Sequence, residues 1–136
     1  MAYDVDYQAI LVAAGLATVI GLLWYLPWTF GALWLREHSF SDEHKKRFRA
    51  IVPYLPLGLF TLQVVVAYVL AHVTFAYGVV DVGEALQVGL STWLGFIATT
   101  SLAANFFELR SLIYFAVNAG YALVSLLAMS LVVTFW

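Results

Sequence analysis

The chain has 136 residues, of which 64% are hydrophobic and only 10% charged, with a formal net charge of -2 and a mean hydropathy of +0.93. A water-soluble domain carries about 25% charged residues, so this composition excludes an ordinary soluble fold, and the slight acidic balance offers no basic surface for nucleic acid. The absence of Cys excludes disulfides, thiolate metal sites and c-type haem attachment.

A helix needs about 20 apolar residues to cross the ~30 Å hydrocarbon core, and the apolar runs divide the chain into four such spans joined by three short connections. One all-α transmembrane domain over residues 1–136 is expected. The first span is predicted at about 7–35. Its acidic lead (Asp4, Asp6) and long apolar run do not fit the basic n-region and short apolar core of a secretory signal peptide, so it is expected to remain as a membrane helix. Ala13, Ala17 and Gly21 make a row of small residues every fourth position, which lets a neighbouring backbone approach closely. Pro27 removes a helix hydrogen bond and predicts a kink. Trp24, Tyr25, Trp28 and Trp34 cluster at that end, as aromatics do at a membrane boundary.

Residues 36–50 form the long polar connection, and Phe40 and Phe48 among alternating charges predict a short amphipathic helix there. Ser41 is placed to begin it as N-cap. Its Lys and Arg residues either attract anionic lipid, at about 1 kcal/mol each, or only set topology. His38 and His44 are six apart, a spacing that puts them on different helix faces and argues against a metal site.

The second span is predicted at about 51–79, entered through Pro53 and Pro56. Steps of three and four collect Tyr54, Gly58, Thr61, Val65, Tyr68, His72 and Phe75 on one face, with Gln63 as the polar exception. Ionisable groups within a span usually face the bundle interior, so this face is expected inside. His72, the only histidine in a span, reads as a hydrogen-bonded core residue, a proton or solute contact, or a haem or chlorophyll ligand. An acidic connection near 80–86 leads to the third span at about 87–107, where Ser101, Asn105 and Glu108 share a face and Gly89 and Gly95 permit close packing. The fourth span, about 112–135, aligns Tyr114, Asn118, Tyr121 and Ser125 and is followed by Trp136, a candidate interface anchor.

All six basic residues (Arg36, Lys45, Lys46, Arg47, Arg49 and Arg110) lie in two of the connections. Positively charged short loops stay in the cytoplasm, whereas Asp and Glu matter little. The chain should therefore sit in the plasma (inner) membrane as a multi-pass protein with both termini extracytoplasmic and loop 36–50 cytoplasmic. Short connections make spans two, three and four antiparallel neighbours, which predicts a four-helix up-down-up-down bundle. Their polar stripes should meet inside it with Thr18 and Tyr25. An unpaired charge at membrane depth is costly, so Asn105, Glu108, Arg110, Asn118, Tyr121 and Tyr25 form the candidate polar site. It is either a clasp between spans or the floor of a cavity for a polar head group or solute.

Two segments carry a resemblance. LWYLPWTFGALW (23–34), through Trp24, Tyr25, Pro27, Phe30, Gly31 and Trp34, and NFFELRSLIYFAVNAGY (105–121), through Asn105, Glu108, Arg110, Asn118, Gly120 and Tyr121, resemble the small four-helix bacterial membrane proteins of domain-of-unknown-function family 1761. The resemblance covers essentially the whole chain, with one departure at Asp6, where the family often carries Asn. It implies a fold and recurring residues, and no activity.

No zinc-protease, nucleophile-elbow or phosphate-loop motif is present. A lone carboxylate and a lone histidine on separate helices do not make an acid–base pair. The residues therefore favour a non-catalytic protein with no catalytic, metal or cofactor site. Its partners are the lipid bilayer and other membrane subunits or copies of itself, as an accessory or structural component of an assembly. The signs are an exposed Ala13/Ala17/Gly21 row and an aromatic content of 17%. The alternative is a small-solute transporter or small-ligand-binding protein, to which the Pro27 break, His72 and the paired Asn residues point.

Overall fold

A computed structural model describes residues 4–38 and 40–136, and these are helical with no strand among them. Seven α-helices follow in order: α1 (Tyr7–Trp24), α2 (Ala32–His38), α3 (Asp42–Ile51), α4 (Leu55–Ala76), α5 (Val82–Thr92), α6 (Thr99–Phe107) and α7 (Leu112–Phe135). Wide π turns at Pro27–Gly31 and Trp93–Ala98 join α1 to α2 and α5 to α6, and a 3-10 turn, Val52–Tyr54, joins α3 to α4. Three stretches, Tyr7–Trp24, Asp42–Ala76 and Leu112–Phe135, are long and apolar enough to cross a membrane.

Helix starts follow local chemistry. Asp6, Ser41, Asp81 and Ser111 each accept a backbone N–H of the following turn, which satisfies donors that a helix start leaves unpaired. Ser41 thus opens α3 as its sequence position predicts. At Asp81 the cap shifts a boundary. Asp81 Oδ1 accepts from Glu84 N at 2.9 Å while Glu84 Oε2 accepts from Val80 N at 3.0 Å. This reciprocal arrangement starts the helix at Val82, not at about 87, and absorbs most of the acidic connection into its first turn.

The core is built on small residues. α1 packs against both α4 and α7, and α7 also meets α5 and α4. Ala13, Ala14 and Ala17 of α1 and Ala67 of α4 are completely buried, with Ile10, Leu70, Ala71, Leu126 and Met129 filling around them. For helices in lipid, whose tails are as apolar as side chains, such close backbone packing and dispersion supply the association in place of the hydrophobic effect. The small-residue row of α1 is therefore consumed inside the chain. Gly21 ends it beneath Tyr121, whose Oη would lie 2.9 Å from an added Cβ. An exposed Ala13/Ala17/Gly21 row is corrected to a buried one.

The inward face of α4 is corrected as well. Ala67, Leu70, Ala71 and Thr74 are buried, while Tyr54, Gly58, Thr61, Val65, Tyr68 and Phe75 are exposed and His72 is half-buried. The Ala-lined surface of α1 admits a flat Ala/Leu face, and the bulky aromatic face turns away. Only Gln63, the exception to the aromatic row, reaches inward. Nor does α5 follow its short connection onto α4: it packs chiefly on α7. Gly89 is the reason, since Ser130 Oγ at 2.8 Å and the Leu126 carbonyl oxygen at 3.2 Å of its missing Cβ mark a close helix crossing.

Candidate functional site

The chain breaks where α1 meets Pro27. Leu26 is extended at φ -67°, ψ 149°, and Thr29 lies outside helical geometry at φ -106°, ψ -114°. A proline leaves carbonyls of the preceding turn without their donor, and in an apolar setting each must be met internally. Thr29 meets them: its hydroxyl stands 2.6, 2.8 and 3.0 Å from the carbonyl oxygens of Leu23, Trp24 and Leu26, one proton serving them in turn. Gly31 N donates to the Leu26 carbonyl at 2.9 Å, and Gly31 has no room for a side chain, because a Cβ would fall on the Tyr25 carbonyl. Thr29 was not singled out from the sequence; a hydroxyl two residues after a mid-span proline is the signal that would have found it.

Beyond the break the two motif segments interlock residue by residue. Trp24 Nε1 donates to the Val117 carbonyl at 3.0 Å, and its ring crosses Gly120, where a Cβ would stand 3.2 Å from Cζ2. Tyr25 Oη donates to Asn118 Oδ1 at 2.6 Å. Tyr121 Oη accepts from Gln63 Nε2 at 2.7 Å and donates to the Ala17 carbonyl at 3.3 Å. From the other side Trp93 Nε1 donates to the Ala119 carbonyl at 2.7 Å. One stretch of α7 is thus gripped from α1, α4 and the π turn after α5, each buried N–H or O–H finding an oxygen, as polar groups in an apolar interior must.

The turn between α6 and α7 is held the same way. Arg110 N donates to the Asn105 carbonyl at 3.0 Å and Leu109 N to that of Phe106 at 3.3 Å, a Schellman arrangement that usually places Gly in the left-handed position. Here that position is Leu109, at φ 54°. Asn105 compensates: its Nδ2 donates to the carbonyls of Arg110 at 2.9 Å and Ser111 at 3.2 Å. Arg110 then reaches α2, donating from Nη1 to the His38 carbonyl at 2.9 Å and to His38 Nδ1 at 3.0 Å. Its guanidinium carbon lies 5.1 Å from the Tyr114 ring centre, within cation–π reach. Ser111 Oγ donates to Glu37 Oε2 at 2.6 Å. Glu108 pairs with Arg110 more loosely, at 3.6 Å.

His38 packs among Trp34, Phe40 and Tyr114. Burial, then the charge of Arg110, then that of His44, hold its imidazole below the ordinary value of 6.5, in keeping with a neutral Nδ1 that accepts from a guanidinium. His38, Glu37, Ser111, Gln63 and Trp93 take part in the network although their spacing alone did not place them there.

Tyr25, Asn118 and Tyr121 therefore come together on one face of α7, and Asn105, Glu108 and Arg110 at the adjoining turn. They form two connected groups of contacts and not one ring. A groove of about 190 Å³ lies between the groups, lined by Ser101, Asn105, Glu108, Tyr114, Phe115 and Asn118 among others. His72 stands apart, its Nδ1 2.8 Å from the Tyr68 carbonyl oxygen, on the part of α4 whose Ala71 and Thr74 line a larger cavity of about 470 Å³ with Asp4, Asp6 and Trp136. Of the aromatic cluster, Trp28 is 78% exposed, while Trp34 packs edge-on to Tyr25 and Phe40. Among the described residues no group of three His, Asp or Glu side chains could hold a metal ion.

No curated protein and no solved structure matches this chain. The model of a family described as a protein of unknown function, DUF1761, matches residues 8–134, a span that takes in both interlocking segments and every helix they join. The chain belongs to the DUF1761 family.

Proposed function

We propose that the chain is a non-catalytic protein of the bacterial inner membrane, crossing it four times and serving as a subunit of a larger or homo-oligomeric membrane assembly. The third crossing, added to the three long apolar stretches, is the run Val82–Phe107, which the π turn divides into α5 and α6; at 1.5 Å per residue it exceeds the ~30 Å core. Short connections then make an up-down-up-down bundle, and the six basic residues favour a cytoplasmic 36–50 loop with both termini outside.

The observation that carries the assembly reading is where unused small residues lie. With the α1 row buried, Ser91, Gly95 and Thr99 remain as an exposed row at steps of four, and a Cβ at Gly95 would meet nothing within 4 Å. Small residues on an outward membrane face let a second helix approach to backbone contact. On α4, Gly58 is likewise open, beside the exposed Thr61 and Tyr68.

Purified in mild detergent, the wild type is expected to run as an oligomer or with a second subunit in native mass spectrometry. Gly95→Leu should weaken that association about tenfold, a change of ~1.4 kcal/mol, without altering the thermal midpoint of the single chain. A wild-type monomer with nothing co-purified would overturn the assembly reading. Orientation is read separately in intact cells: Ser41→Cys should resist a membrane-impermeant thiol reagent and Val82→Cys should react, and the reverse pattern defeats the topology.

A further inference from the structure

The groove between α6 and α7 contains a polar atom that the fold does not satisfy. Asn105 is 4% exposed. Both its Nδ2 bonds go to the turn carbonyls, yet its Oδ1 is buried with no hydrogen-bond partner among the described residues. An unmet buried acceptor costs about 1–3 kcal/mol, and such an atom beside a groove calls for a donor from outside. The rest of the lining says which donor. Glu108 contributes a carboxylate, Ser101 a hydroxyl, Asn118 an amide whose oxygen already accepts from Tyr25, and Tyr114 and Phe115 two aromatic rings. Arg110 is not among the lining residues; its Nη1 bonds to His38 and its guanidinium lies on the Tyr114 face, so it meets Glu108 only through Nε at 3.6 Å. The unmet Asn105 acceptor, the loosely paired Glu108 carboxylate and the aromatic faces suit a small cation that carries N–H donors.

Size fits the class. About 190 Å³ corresponds to roughly six waters at ~30 Å³ each. That is ample room for an ammonium and a two-carbon arm. We infer that this groove binds a protonated primary amine of the ethanolamine type, with Asn105 Oδ1 and Glu108 accepting its N–H bonds. The amine arrives either as the head group of phosphatidylethanolamine or as a free small amine. The site is independent of the assembly surface on Gly95, which lies on the exposed side of the π turn.

The donor requirement supplies the test. Phosphatidylcholine keeps the positive charge and the fit to aromatic faces but has no N–H. The full chain is delipidated in detergent, incubated with phosphatidylethanolamine and phosphatidylcholine of identical acyl chains, and examined by native mass spectrometry. Wild type should retain the ethanolamine lipid about tenfold over the choline lipid. Glu108→Gln should bring the two to parity, with its lipid-free thermal midpoint unchanged because that side chain is 59% exposed. Millimolar ethanolamine alone identifies the source: a raised midpoint in wild type and not in Glu108→Gln means a free amine is sufficient, and a lipid preference without that rise means the head group is needed. Equal retention of both lipids with no response to ethanolamine would overturn the inference. So would a Glu108→Gln protein that discriminates as the wild type does.

Discussion

Gly31→Ala is expected to be the most damaging single-methyl change in the chain. Its Cβ would press on the carbonyl of Tyr25 and stand 2.6 Å from that of Leu26. Both are backbone atoms of the break itself, so no rotamer change relieves the clash. The break must open instead, which draws Thr29 away from the three carbonyls it serves and separates α2 from α1. Overpacking costs typically 1–3 kcal/mol, and a rigid backbone obstacle belongs at the top of that range, about 3 kcal/mol. Thermal unfolding in detergent measures it. Gly95→Ala and Gly58→Ala are the controls: with nothing within 4 Å of either Cβ, the gain in helix propensity over Gly, ~0.5–1 kcal/mol, should leave the midpoint equal or higher. A Gly31→Ala protein as stable as its parent would mean that the break does not have this geometry.

Asn118→Leu should have the second-largest effect. It leaves the Tyr25 hydroxyl, bonded to Asn118 at 2.6 Å, without its acceptor, at the point where the kinked end of α1 meets α7. Orphaned hydroxyls cost about 1–3 kcal/mol in water-soluble folds, whereas hydrogen bonds between membrane helices average about 0.6 and reach about 1.7 kcal/mol. Under the proposed membrane placement the second figure applies, because separated helices still find polar partners within a bilayer. A loss of about 1.5 kcal/mol is therefore expected, with Tyr25→Phe costing less because it leaves an Asn beside a groove instead of a stranded donor. The double variant should lose less than the sum of the two. Additive losses would show that the two side chains do not act as a pair.

The spans that became α4 and α7 were legible because their patterns are uninterrupted, with Pro53 and Pro56 ahead of the first and apolar residues throughout both. The third was misjudged at its start, where Asp81 and Glu84 looked like a loop but act as reciprocal caps. The first was rightly expected to bend at Pro27. That Thr29 and Gly31 would hold the bend depends on carbonyl positions that no periodicity reports. The candidate polar residues stood out because polar groups are rare in an apolar chain. Of their partners, His38 was weighed only with His44 as a metal pair and Glu37 was passed over, because both sit among other charges, where one more polar residue carries no signal.

What the sequence determined by itself is what composition and local backbone chemistry dictate: an all-helical chain with helices suited to a membrane, the helix start at Ser41, and the break at proline. Which faces meet was decided only in the tertiary structure. In a soluble protein the apolar side of a helix announces the core, but here every side is apolar, so the hydrophobic pattern is silent about direction. Close approach decides instead. The Ala face of α1 selects Ala67 and Ala71 of α4, Gly89 selects the Ser130 side of α7, and Gly120 admits Trp24. The conspicuous aromatic row of α4 is left outside because it is too bulky for any of these crossings.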